Sequence, residues 1–100
     1  MSDVFVDSDL EEVMPSFLEN RKKDIQQLKE ALNVKDLERV RFIGHSLKGV
    51  GSGYGFIEVT NFGRAIEEKA KSNLEDELSP LVAALEDYMK SVNIIYVEEE

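Results

Sequence analysis

"VRFIGHSLKGVGSGYGF", residues 40–56, contains the one histidine of the chain and five of its six glycines. Read as a helix at roughly 100° per residue, Val40, Ile43, Leu47, Val50 and Tyr54 fall within about 40° of the direction opposite His45. Those five form a continuous apolar stripe that must face a core, so His45 is expected on the solvent side. Gly49 lies one turn above His45, displaced by about 40°, and Ser52 is almost in line two turns on. Both are small, so nothing is expected to overhang the imidazole from that side. Lys48 and Arg41 fall on one common flank of His45, on either side of it along the helix axis. An exposed imidazole with cations on one side and clearance on the other suits a bulky anion. Phe42, on the uncharged flank, is either an apolar contact for a partner or packing against the first helix, and packing is expected. Gly51 points to close helix packing, and Gly53 and Gly55 to the turn into the next helix. Gly44 has no assignment at this level.

The remaining chain reads as three further amphipathic helices. Leu10, Val13, Met14, Phe17, Leu18, Ile25, Leu28 and Leu32 recur at three- and four-residue spacing, with Pro15 interrupting the register. This predicts a short opening turn, capped by Ser8 with Glu11, and a main helix from about Pro15 to Leu32. "NVKD" supplies a stop at Asn33 and an N-cap at Asp36. Val59, Phe62, Ile66 and Ala70 mark the third helix. Ser79 and Pro80 are a strong start for the fourth, while Ser72 with Glu75 offers an earlier one. Leu81, Leu85, Tyr88, Val92 and Ile95 give its apolar face. "NIIYV" has strand composition, but with no partner strand in view it is assigned to the helix. The expected fold is all-α, an antiparallel four-helix bundle with a short N-terminal helical turn, forming one domain over residues 1–100.

Composition narrows the functions. With no cysteine, thiolate metal sites and cysteine nucleophiles are excluded. A formal net charge of −9 argues against nucleic acid, whose phosphates need clustered lysines and arginines. No apolar run approaches the roughly 20 residues that cross a bilayer, and "MSDVFVDSD" lacks the basic and apolar segments of a secretion signal. A cytoplasmic monomer without membrane contact is the default expectation. Arg21, Lys22 and Lys23 form a basic cluster in this acidic chain, readable as attraction to an acidic partner or as a solvated face.

Other chemistries fail on spacing. Lys48 precedes Gly49 and Val50 follows it, which is not a phosphate-binding Gly-Lys-Ser/Thr loop. A G-x-G-x-x-G register meets Tyr54 or Phe56 at its last position. "DSDLEE" has Glu12 where a calcium loop needs glycine. A di-iron bundle needs several inward Glu and His side chains, and one outward histidine does not supply them.

"HSLKGVGSGYGF" resembles the signature of histidine phosphotransfer (HPt) domains: histidine, any residue, an apolar residue, lysine, glycine, and a glycine six residues on. His45, Leu47, Lys48, Gly49 and Gly55 match it. The form is also similar to the phosphorylated domain of chemotaxis histidine kinases. Ser52 stands where glycine is frequent in the family and Gly44 where alanine is frequent. The resemblance implies a phosphorelay intermediate rather than an enzyme with its own kinase activity. His45 would be the phosphoacceptor, Lys48 would hold the phosphoryl oxygens, and Gly49 would leave them room. Arg41, Phe42, Ser52 and the Arg21–Lys23 cluster would contribute to partner docking. The implied partners are response-regulator receiver domains and a sensor or hybrid histidine kinase. The chain would carry no cofactor of its own, with Mg2+ expected in the partner receiver domain. Two alternatives are a non-catalytic helical adaptor that binds a receiver or kinase without phosphotransfer, and a bundle-core metal protein.

Overall fold

The structure, a computed structural model, describes residues 2–98. Four helices carry most of the chain: α1 (Met14–Asn33), α2 (Leu37–Val50), α3 (Ile57–Lys71) and α4 (Glu75–Ser91). α1 packs against α2 and α4, and α3 packs against the same two helices, so the four enclose one core. Their apolar stripes meet there. Met14, Leu28, Val40, Leu47, Val59, Ile66, Leu78 and Leu85 are all fully buried, each burial being worth about 1.5–3 kcal/mol. The Phe17 ring stacks on Tyr54 at 4.5 Å and tilts against Phe56 at 4.9 Å, joining α1 to the turn after α2.

The helix boundaries follow local chemistry. A 3₁₀ segment (Ser8–Val13) precedes α1, but its cap is Asp7, whose Oδ1 accepts from the Asp9 N–H at 2.9 Å, rather than the expected Ser8–Glu11 box. Pro15 sits in the first turn of α1, where its missing N–H costs nothing. Asp36 caps α2 as expected, its Oδ1 accepting from the Arg39 N–H at 3.1 Å. α4 begins early, at Glu75, but without the Ser72 cap: Ser72 closes α3, and Leu74 holds the N-cap position of α4 with no side-chain hydrogen bond. Asn73, at φ 56°, ends the preceding turn, and Glu75, Asp76 and Glu77 fill a first turn that favours acids. Starting there turns Leu78 fully into the core, so Pro80 is carried inside the helix instead of opening it.

The all-α expectation needs correction at both ends of the chain. Ser2–Asp7 is a strand, β1, and Val92–Val97 is a second, β2, paired in parallel from Ser2 opposite Val92 to Asp7 opposite Val97. "NIIYV" does have a partner, but one at the far end of the chain, beyond the reach of any local pattern. Val4 and Val6 point inward and are buried, Phe5 points outward, and Asn93 Nδ2 donates to Asp3 Oδ1 at 3.2 Å. A two-stranded sheet is marginal alone; the two valines attach this one to the helical core.

Candidate functional site

The site begins with two glycines at the crossing of α2 and α3. A Cβ built on Gly63 would lie 2.3 Å from the Lys48 backbone nitrogen and 2.7 Å from the Gly44 carbonyl oxygen. One built on Gly44 would lie 2.8 Å from the Glu67 nitrogen and 3.0 Å from the Gly63 oxygen. No side chain fits at either position, so the two backbones touch. This supplies the missing assignment for Gly44, and Gly63 is its counterpart on α3.

A third tie holds the end of α2. In an unbroken helix the Ser52 N–H would bond to the Lys48 carbonyl. Here the Thr60 hydroxyl of α3 stands between them, accepting from Ser52 N at 2.8 Å and donating to Lys48 O at 3.1 Å. α2 therefore ends at Val50, and a 3₁₀ turn (Ser52–Tyr54) leads to Gly55. Gly55 has φ 87°, a conformation that favours glycine, and a Cβ there would meet the Phe5 carbonyl oxygen at 2.8 Å. Gly51 is buried against Thr60. Ser52 is thus exposed on a turn rather than one step further up the histidine helix.

The close crossing brings an acid on α3 beneath the histidine. His45 is exposed, with 63% of its side chain accessible, and its Nδ1 lies 2.9 Å from Oε2 of Glu67. Lys48 Nζ lies 2.7 Å from the other oxygen, Oε1, and Lys71 Nζ is 3.8 Å from Oε2. Glu67 is itself buried, the one charged residue so placed among the described residues. The hydrogen bond from Lys48 does most to hold its carboxyl down to about 2, against the opposing pull of desolvation, with His45 and the charges of Lys48 and Lys71 adding. Glu67 is therefore ionised at neutral pH and can only accept. The Nδ1 of His45 must donate to it, and in the neutral ring Nε2 keeps its lone pair and faces solvent.

The other anticipated residues fall in different places. Gly49 is open, with nothing within 4 Å of where a Cβ would stand. Phe42 is 65% exposed, which corrects the expectation that it packs against the first helix. Arg41 is paired with Glu38 one turn back. Arg21 is not a free cation: it lies over the Phe17 ring at 4.7 Å and bonds Asp24 at 2.8 Å. Lys22 lines a groove between α1 and α4 beside Met89 and Lys90, while Lys23 is exposed. The basic cluster is thus dispersed and shares no ion pair or hydrogen bond with His45 among the described residues.

Glu67 was not anticipated from the sequence. Its signal is faint: Gly63, Glu67 and Lys71 recur every four residues, a line beside the Ile66 stripe. Among the described residues no cluster of three or more His, Cys, Asp or Glu could hold a metal ion, and no helix is long and apolar enough to cross a membrane.

An outward Nε2, a fixed Nδ1–H and an adjacent ammonium make a nucleophile for an electrophile with anionic oxygens. Among known proteins, neither the curated sequences nor the solved structures compared with the chain gave a match. The family model for the Hpt domain matches residues 12–93, from the turn before α1 to the start of β2. With the family model covering all four helices and the histidine signature standing on α2, this chain belongs to the Hpt domain family.

Proposed function

We propose that the protein is a phosphorelay intermediate in which His45 takes a phosphoryl group from a kinase or a receiver-domain aspartate and passes it to another receiver domain. Hpt domains act in two-component signalling as phosphoryl carriers rather than kinases, and the assignment to His45 rests on the Nδ1–Glu67 contact of an exposed ring. The short connections between helices agree with an antiparallel bundle as the platform.

Nε2 of the neutral ring attacks phosphorus in line. The N–P bond forms as the P–O bond to the donor aspartate breaks, and the carboxylate leaves with the electron pair. Positive charge grows on the ring during attack, and Glu67 stabilises it through the Nδ1–H while keeping the imidazole in one orientation. The transferred group carries roughly two negative charges, which Lys48 offsets by turning from Glu67 Oε1 toward the phosphoryl oxygens. Gly49 leaves those oxygens unobstructed. Mg2+, expected in the partner receiver domain, would lower the charge on the phosphoryl group during transfer. Phe42 and the open Gly49 side of α2 give the partner an apolar approach, with Arg41 and Ser52 at its margins.

Incubation with a phosphorylated receiver domain, or with a kinase and ATP, is expected to label His45 in an acid-labile, alkali-stable bond. Absence of label across a panel of both donor types would overturn this function.

A further inference from the structure

We propose, on the footing of that function, that Lys71 is a second cation for the phosphoryl group, reaching it from α3 while Lys48 reaches it from α2. Lys71 stands one turn beyond Glu67, with its Nζ 3.8 Å from the same Oε2 that accepts the His45 Nδ1–H. At that distance it is an ion pair without a hydrogen bond. Its side chain is 57% accessible, and Glu67 is its sole ion-pair partner among the described residues. The ammonium is therefore close to the ring, loosely held and able to turn.

Charge balance gives it a task. With the ring in the neutral form that nucleophilic attack requires, one carboxylate faces two ammonium groups, a net charge of about +1. Transfer places roughly two negative charges on the phosphoryl group and, while Nδ1 keeps its proton, one positive charge on the ring, which brings the site to about 0; without Lys71 it would be about −1. Arg41 does not fill this role, since its guanidinium is paired with Glu38. Helix chemistry alone explains a lysine at the end of α3, because cations suit helix C-termini and a Glu-to-Lys step of four residues is favourable. It does not explain why the pair's acid is buried and is the one carrying the histidine. Lys69 is the useful contrast. It occupies the same last turn, but it pairs with Glu77 at 2.9 Å.

Phosphoramidate tests the assignment without a docking partner. His45 Nε2 forms the new N–P bond while the donor's own P–N bond breaks, and ammonia leaves with the electron pair. Lys71→Gln is expected to slow labelling of His45 about three- to tenfold and to shorten the lifetime of the phosphohistidine. Lys71→Arg should stay within about twofold of wild type, and Lys69→Gln, which changes net charge equally, should leave both rates unchanged. The 15N spectrum of His45 should show an unaltered Nδ1–H tautomer in Lys71→Gln, separating a charge effect from a collapsed site. Equal rates in Lys71→Gln and wild type, or equal slowing in Lys69→Gln, would overturn the assignment of Lys71 while leaving the relay function standing. A wild-type protein that no donor labels would overturn both.

Discussion

The α2–α3 crossing and the β1–β2 sheet each join two segments of backbone at close range, but they use that closeness differently. At the crossing, Gly44 and Gly63 let the helices touch, and the result is a dense set of charges: a buried carboxylate bridging one imidazole and two ammonium groups. In the sheet, strand pairing sets Val4 and Val6 of β1 and Val92 and Ile94 of β2 against the core, with little polar contact beyond Asp3–Asn93. The crossing lies in the middle of the family match, whereas β1 and the larger part of β2 lie outside it. Chemistry is concentrated where backbone proximity orients polar groups. The sheet closes the core from the chain ends and is expected to matter for stability alone.

That division can be broken by substitution. The largest effect is expected from His45→Gln, which should abolish labelling. Its ring is exposed, so the stability of that variant should stay close to wild type, as for most surface substitutions. Unfolding of the variant, seen by circular dichroism, would mean that the histidine belongs to the structural half after all. Glu67→Gln keeps the size of the side chain but removes the charge beneath the ring. Labelling by phosphoramidate should fall about 10- to 100-fold, with Lys48 and the Nδ1–H both losing their anionic partner. A rate close to wild type would remove Glu67 from the mechanism.

Smaller effects sharpen the contrast. Gly63→Ala places a methyl group against the Lys48 backbone. It should cost about 1–3 kcal/mol in urea denaturation, with the His45–Glu67 contact loosened as the helices part. Val6→Ala truncates a fully buried side chain and should cost a similar amount, about 2 kcal/mol. Unlike Gly63→Ala, it should leave the labelling rate of the folded protein within about twofold of wild type. If Val6→Ala slowed labelling as much as Gly63→Ala, sheet and site would be coupled.

The gentlest test is acid. The folded-state pKa of Glu67 is lowered from 4.5 to about 2, so its stabilising contribution is complete above the ordinary carboxylate range and is lost as pH falls toward about 2. A 13C titration of the carboxyl carbons should find Glu67 ionised at about pH 4, where ordinary glutamates are already half protonated. A Glu67 midpoint in that ordinary range would show that Lys48 and His45 do not hold it.

Much of the helical half was readable residue by residue. The stripe of Val40, Ile43 and Leu47 set which way α2 faces, and the exposure of His45 and the openness at Gly49 followed from that one choice. Asp36 was recognisable as a cap because its function lies three residues away. What escaped notice depends on distant neighbours. Glu67 has the look of an ordinary surface acid beside an apolar stripe, and within α3 only Gly63, one turn before it, hints that another helix lies close enough to bury it. Phe42 stood at an angle where both packing and exposure were open, and only the placement of α1 decided for exposure. The basic cluster read as one patch because its residues are consecutive, yet consecutive helical residues point about 100° apart, and Arg21 turned inward onto Phe17.

By itself, then, the order of residues determined the helices, their buried faces and an outward histidine followed by lysine and glycine, because each depends on spacing within a few turns. Tertiary structure decided the rest: the pairing of the two chain ends as strands, and the meeting of His45 and Lys48 with Glu67. Strand pairing and ion pairing are properties of two segments at once, and neither segment encodes its distance from the other.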